Sequence, residues 1–275
     1  MRIDLRSKDL IKKQYSAIRI IQDRMKMMSQ CAVKRGKFGL EYYKFKGNEM
    51  VLDIGCGAGS NSLRIASALG NNGRLFSIDT SKAMVQMTRK LLKKNQLSGT
   101  VSIGNCESMD FEDGMFDLVI AFYILYHLDL KKALAEISRV LKDQGVFIAT
   151  TVSQGTHDKW YDEFTRMISL DGIGRKLRCY KISFSLESGK DILSRYFNRV
   201  ERHVSYDSVR FTSIKIFMQY IKEAPVLAKI KEDNQQVFEI IVNSLTKQVN
   251  TKIQKKGYFE LKNPQVTFIA SKKKT

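Results

Sequence analysis

The segment that most constrains this chain is Val51-Leu52-Asp53-Ile54-Gly55-Cys56-Gly57-Ala58-Gly59-Ser60-Asn61, an apolar run of strand length that passes through three alternating glycines into a helical pattern. Without Cβ atoms the backbone there can approach a ligand closely, and a helix opening at that point offers unpaired N–H groups to an anion. The G-x-G-x-G spacing followed by Ser60 departs from the G-x-G-x-x-G dinucleotide fingerprint, which wants Gly or Ala at that place. The flanking periodicity extends the pattern. Residues 50–54, 74–78, 101–103, 116–121 and 145–152 read as strands, and 61–69, 81–95 and 131–141 as helices. Strands alternating with helices in units of this length predict βαβ crossovers and a doubly wound α/β fold, a mostly parallel sheet covered on both faces.

At 275 residues and 43% apolar, the chain has enough material for a sizeable core without disulfide or metal staples. The longest apolar run, 118–128, is too short to span a bilayer, and the opening Met1-Arg2-Ile3-Asp4 has no signal-peptide core, so a soluble cytoplasmic protein is expected. Cys31, Cys56, Cys106 and Cys179 lie far apart with no C-x-x-C, and His127, His157 and His203 are not paired at ligand spacing, so no metal site is expected. The net charge of +19 is regional. Residues 1–50 carry 13 basic and 5 acidic side chains, 51–150 carry 11 and 10, and 151–275 carry 23 and 13. A general bias toward lysine would have raised the middle third too. The distribution instead favours a polyanionic partner, nucleic acid first and an acidic membrane surface second.

Outside the alternating core, residues 6–29 read as a basic amphipathic helix and 34–46 as loop or short helix. The last third predicts helices at 159–170, 187–196, 212–221 and 225–249, with strands at 199–206 and 266–271. Pro225 suits a helix start, and Gly257 a position just past a helix end. The division expected is a basic N-terminal helical segment, 1–48, and a main domain, 49–275. Its ligand-binding half is 49–152, and 153–275 holds the final strands with helical insertions.

Asp79 ends the strand after the glycine turn, where an acidic side chain can bind both hydroxyls of a ribose; capping the next helix falls better to Thr80 or Ser81. Asp53 lies inside an apolar strand, where an ionised carboxylate needs donors or a cation such as a sulfonium or ammonium group. Residues 51–61 and Asp79 combine with Gly104-Asn105-Cys106-Glu107-Ser108, Phe116-Asp117-Leu118-Val119-Ile120, Leu125-Tyr126-His127-Leu128 and 133–146. As a set over residues 50–152, they resemble the class I S-adenosylmethionine-dependent methyltransferases. The resemblance implies a seven-stranded sheet whose last hairpin is antiparallel, and S-adenosyl-L-methionine as cofactor. By it, Asp53, Gly55, Gly57 and Gly59 would hold the methionine part and Asp79 the ribose. Asn105, Cys106 and Glu107 would flank the adenine, with Asn105 standing where relatives often carry an acid, and Phe122 would pack against the cofactor.

Methyl transfer from a sulfonium is an in-line displacement in which the enzyme mainly supplies proximity and orientation, so a strong general base is not required. The acceptor is expected beyond the fourth strand of the alternating core, beside Phe122, Tyr123, Tyr126 and His127. Tyr123, Tyr126 and His127 are the candidates for orienting or deprotonating it; core packing is the competing role for each. Ala121-Phe122-Tyr123-Ile124 stands where many amino N-methyltransferases carry a proline-paired tetrapeptide. No lysine-rich tetrad of ribose 2′-O-methyltransferases is recognisable, and none of the four cysteines lies at the site just after the fourth strand that pyrimidine C5 transfer would need.

Cations interleave with aromatics at Lys34, Arg35, Lys37, Tyr42, Tyr43, Lys44 and Lys46. Arg175, Lys176, Arg178 and Lys181 form a second cluster and residues 272–274 a third. Such sets can neutralise phosphates while an aromatic ring stacks on a base. The leading expectation is therefore a methyltransferase acting on structured RNA, ribosomal RNA first, by base flipping, with ribosome-protecting antibiotic resistance as an analogy. The alternative is a small-molecule methyltransferase with a quinone or amine acceptor. A third reading is a non-catalytic cofactor-binding RNA module.

Overall fold

The computed structural model describes residues 31–34, 37–153, 182–222, 227, 231–232 and 234–274. The expected helices at 6–29 and 159–170 and the cluster Arg175, Lys176, Arg178 and Lys181 lie outside the described residues, as does Arg35.

Among the described residues eight strands form one sheet: β1 Ala32–Lys34, β2 Met50–Ile54, β3 Arg74–Asp79, β4 Thr100–Ile103, β5 Phe116–Phe122, β6 Leu141–Val152, β7 Phe197–Phe211 and β8 Phe259–Lys273. Their order is β1-β7-β8-β6-β5-β2-β3-β4. β4, β3, β2, β5 and β6 are mutually parallel, whereas β8 runs antiparallel between β6 and β7. This is the doubly wound, mostly parallel α/β architecture with seven principal strands. β1 is an addition that the sequence did not signal. It is three residues long and gains its place from antiparallel pairing with β7, Ala32↔Arg210 to Lys34↔Ser208. The described residues 32–34 thus join the sheet upstream of the expected boundary at 48.

Helices α1 Ser60–Ala68 and α2 Lys82–Lys94 cover one face, where Ile65, Ala66, Val85 and Leu92 pack on Val51, Leu118, Ile120 and Ile148. On the other face, α3 Leu130–Val140 and the short α4 Gly189–Leu193 bury Ala133, Leu134, Ile137, Val140 and Leu193 against Leu52, Val119, Phe147 and Phe268. Near-continuous burial along β5 is what a parallel strand covered on both faces requires. Caps fix the ends of these helices. Ser81 Oγ accepts from the Met84 N–H, and Asp129 accepts from the Lys131 and Lys132 N–H groups.

β6 pairs with β8 only from Val146↔Ser271 to Val152↔Gln265, whereas β7 and β8 stay paired to Phe211↔Phe259. The hairpin therefore continues past the carboxyl end of β6 as a two-stranded arm. Between its strands lie, among the described residues, α5 Ile214–Lys222 and α6 Gln235–Lys256, with residues 227 and 231–232 also helical. Phe238, Ile241, Leu245 and Val249 recur at steps of three or four along α6, and they close with Phe217, Met218 and Ile221 of α5 and Phe211, Phe259 and Leu261 of the arm into a separate core. α6 starts after its N-cap Asn234, whose side chain accepts from the Val237 N–H, and ends at Gly257, whose φ of 78° closes the last turn; the expected start at Pro225 lies outside the described residues.

Candidate active site

The strand order reverses between β5 and β2, and in open α/β sheets the crevice beyond the carboxyl ends at such a switch point receives the ligand. The turn after β2 lies here. Gly55, Gly57 and Gly59 all have positive φ, at 69°, 54° and 88°. A Cβ on Gly59 would come within 2.8 Å of Thr88 Oγ1 and 3.0 Å of Thr88 Cα, and one on Gly55 within 3.1 Å of Ile124. At Gly57 the Cβ would meet only the Gly55 carbonyl, at 4.0 Å, and would otherwise fill the crevice. Two of these glycines permit close packing beneath the loop, and the third leaves room above it.

Below the loop, Asp53 is 1% exposed. Its compensation is not a cation: Ser62 Oγ donates to Asp53 Oδ2 at 2.6 Å, and Ser62 in turn contacts Ser77 Oγ at 3.1 Å. Burial pushes the Asp53 carboxyl up to about 7, partly offset by the Ser62 hydrogen bond and reinforced by Asp79. Ser62 and Ser77 were missed in the sequence because nothing local marks which small polar residues face a buried carboxylate.

Asp79, at the carboxyl end of β3, accepts from the Gly57 N–H at 3.0 Å and the Ser81 N–H at 2.8 Å. Burial raises its carboxyl, and both N–H groups oppose that rise. A carboxylate has about four acceptor positions, so the pair of backbone bonds orients Asp79 while leaving capacity for ligand hydroxyls. After β4, Asn105 Oδ1 accepts from the Glu107 N–H at 3.0 Å, which commits its oxygen to its own turn. Glu107 Oε1 accepts from the Asp129 N–H and ties this turn to the start of α3. Cys106 is buried as a wall, and desolvation holds its thiol at about 12. Cys56, likewise at about 12 through burial, receives a bond from Thr88 Oγ1 at 3.6 Å. Neither cysteine is a thiolate nucleophile.

Beyond β5, Phe122 is buried beneath the segment 38–39: its ring lies 5.9 Å from that of Phe38 and fills the place of a Gly39 Cβ. That gives Phe122 a packing role beside the loop. Tyr123 has φ of 58°, donates its N–H to the Thr150 carbonyl, stacks on Phe38 at 5.6 Å and hydrogen bonds through its hydroxyl to Gln265 Oε1. Tyr126 and His127 follow in a 3-10 turn, Leu125–His127, with their rings 4.4 Å apart. Tyr126 packs on both the main core and the core of the arm. Loop, Asp79, the turn at Asn105 and the aromatic set thus converge on one rim from four consecutive strands.

Of the residues expected to hold RNA that are described, Lys37 and Tyr42 flank Phe38 and Gly39 beside this rim, and Lys44 and Lys46 lie away from it. Lys37 lies over the Tyr42 ring at 4.5 Å, and Tyr42 stacks on His203 of β7 at 4.3 Å, so this ring already has aromatic and cationic neighbours. Tyr43 packs into the α1/α2 core against Phe45, and burial, with Glu49 and Asp117, pushes its phenol up to about 12. Lys44 and Lys46 are exposed, but the adjoining turn is held by Glu49, which accepts from the Lys46 and Gly47 N–H groups immediately before β2. They lie at the amino edge of the sheet, about 15 Å of strand from the crevice. Lys273 likewise bonds the Leu141 carbonyl at the start of β6 and pairs with Asp143. Lys34 sits in β1, on the edge of β7. The contiguity suggested by sequence adjacency is lost because the segment runs from Phe38 and Gly39, at the carboxyl end of β5, to residues 44–49, at the amino end of β2.

A glycine-lined crevice at the switch point, with an acidic residue one strand over and a seven-stranded core closed by an antiparallel hairpin, defines a class I S-adenosylmethionine-dependent methyltransferase. Residues 45–262 match the family described as a methyltransferase domain, and the chain belongs to that family. It is 36% identical over 111 residues to an uncharacterised protein of Methanocaldococcus jannaschii, covering 40% of this chain and 39% of that one. It is 32% identical over 123 residues to the ubiquinone/menaquinone biosynthesis C-methyltransferase of Citrifermentans bemidjiense, covering 44% and 52%. The chain thus spans at most about half the length of these relatives. The YcgJ protein from Bacillus subtilis shares the fold, with a TM-score of 0.57 and 17% identity over 86% of this chain and 97% of that one. Residues 45–262 thus form a methyltransferase domain of the S-adenosylmethionine-dependent class. Among the described residues no helix is long and apolar enough to cross a membrane.

Proposed function

We propose that this chain methylates a small-molecule acceptor, of the quinol or amine class, rather than structured RNA. The observation that carries this reading is the arm: β7 and β8 run past the carboxyl end of β6 and carry the α5/α6 core, against which Tyr126, an expected acceptor-side residue, packs. A rim built over in this way suits a compact acceptor, whereas Lys44, Lys46 and Lys273 stand at the opposite edge. The relative named for ubiquinone/menaquinone biosynthesis points the same way.

When bound, S-adenosylmethionine supplies an activated methyl group on a sulfonium leaving group. In this reading, Gly55, Gly57 and Gly59 cradle its methionine part above Asp53, Asp79 holds the ribose, and Asn105, Cys106 and Glu107 form the adenine end. Tyr123, Tyr126 and His127 face the acceptor and orient it for in-line attack. Excluding water and fixing geometry are the main contributions of the protein.

The test is transfer of labelled methyl from S-adenosylmethionine to 1,4-dihydroxynaphthalene, a panel of simple amines, intact ribosomes and transfer RNA. Label in a small acceptor is expected. Label confined to an RNA fraction would overturn the proposal and return the +19 charge to the centre of the explanation.

A further inference from the structure

Thr88 lies in the second turn of α2 and is fully buried. A hydroxyl inside a helix commonly donates to the carbonyl four residues back along its own helix, and Ser67, Thr246 and Thr251 all do so. Thr88 sends its proton out of α2 instead. Its nearer acceptor is the Gly57 carbonyl, at 2.9 Å, and the other is the Cys56 thiol, at 3.6 Å. Both belong to the glycine turn.

Gly57 is thereby held on both sides. Its N–H donates to Asp79 Oδ2 at 3.0 Å, and its carbonyl accepts from Thr88. Glycine populates either sign of φ with similar ease, so nothing in Gly57 itself selects its φ of 54°. The two hydrogen bonds do. Asp79 is set in turn by the N–H groups of Gly57 and Ser81, and Ser81 is the N-cap of α2. α2 therefore reaches the Asp79 carboxylate by two routes, directly from its cap and, through Gly57, from Thr88.

We infer that Thr88 is a positioning residue for the cofactor. It acts through Gly57: by holding that carbonyl it fixes the tilt of the Gly57 peptide, and with it the N–H that aims Asp79 at the ribose. Without the hydroxyl the Gly57 carbonyl loses this partner and the peptide is free to turn, although the packing beneath Gly59 is kept. The inference rests on the placement of the cofactor at the glycine turn and Asp79 proposed above, and it adds a residue that no spacing in the sequence marks.

The experiment is calorimetric binding of S-adenosylhomocysteine to the full chain and to Thr88→Val, Thr88→Ser and Thr88→Ala. Thr88→Val keeps the shape and removes the hydroxyl, whereas Thr88→Ser keeps the hydroxyl and removes a methyl group. Thr88→Val is expected to weaken binding by about tenfold, and Thr88→Ser by no more than about twofold. Thr88→Ser and Thr88→Ala differ by one oxygen, so a gap of the same size should separate them, and this pair decides the matter should Thr88→Val fail to fold. Across the series, affinity should follow the hydroxyl. Affinity that follows the melting temperature of the cofactor-free protein instead, or a Thr88→Ser variant no tighter than Thr88→Ala, would overturn the positioning role. The route through Gly57 is read in an Asp79→Ala background, where the Gly57 N–H has lost its partner and the further loss from Thr88→Val should shrink to about twofold. An undiminished loss in that background would overturn the route and the inference with it. Parent-like affinity in Asp79→Ala alone would overturn the cofactor placement itself, an outcome read without any change at Thr88.

Discussion

Asp53 shows what one residue contributes when it is placed out of reach of water. Burial lifts its carboxyl from 3.8 to about 7, more than the Ser62 hydrogen bond lowers it. The folded state then holds the proton more tightly than the unfolded chain does. The stability from this group is therefore full below pH 3.8 and is lost as pH rises through about 7. At about 1.4 kcal/mol for each tenfold change in proton affinity, the loss reaches a few kcal/mol. In thermal melts without cofactor, Asp53→Asn should match the parent near pH 4 and exceed it at pH 8. A gap that does not widen with pH would contradict the burial of the charge. A second residue-scale case is Thr150, whose Oγ1 is fully buried without a hydrogen-bond partner among the described residues. Thr150→Val removes that hydroxyl at nearly constant shape and should raise stability by about 1 kcal/mol in denaturant titration.

At the scale of the element, the glycine turn is the part that tolerates least. Gly59 is the N-cap of α1 with φ of 88°, and a Cβ there would meet the Thr88 backbone. Gly59→Ala combines left-handed strain of about 1–2 kcal/mol with a contact that neither α1 nor α2 can relieve without moving. Affinity for S-adenosylmethionine should fall by at least tenfold by calorimetry, as the loop shifts off the crevice. The elements of the cofactor-binding half were legible because each carries its own signal. For β2 the expected and observed limits coincide, and those of α1 and α2 differ by one residue at each end. In β6 the expected start was Gly145, whereas the strand begins at Leu141. β1 was not legible at all, since three residues carry no periodicity and their strand state comes from pairing with β7.

At the scale of the whole molecule, the arm and its helices form a unit with its own core, joined to the main body near Tyr126 and Val152. Ile241 and Leu245 are fully buried in that core and distant in the chain from the glycine turn. Leu245→Ala should cost about 2–5 kcal/mol locally. It should speed hydrogen exchange in residues 205–262 and lower kcat/KM for the acceptor, while S-adenosylmethionine affinity stays within about twofold. Equal losses in both ligands would mean that the arm supports the cofactor crevice rather than the acceptor side.

The sequence by itself determined the parallel core and the crevice. Alternating strand and helix periods, with glycines where only positive φ will serve, specify local geometry, and for βαβ units local geometry and handedness leave few ways to close. The positions of Asp53, the three glycines and Asp79 at the carboxyl ends of β2 and β3 were therefore readable in advance. Only the tertiary structure decided what meets them. Ser62 supplies the donor that Asp53 needs, Gln265 reaches Tyr123 across 142 positions of chain, and the cations at Lys44 and Lys46 stand at the wrong edge for the crevice. The reason is physical: a charge count and a run of aromatics carry no information about which edge of a sheet they will occupy. That depends on where the chain crosses it, and on long-range pairing such as that of β7 with β8.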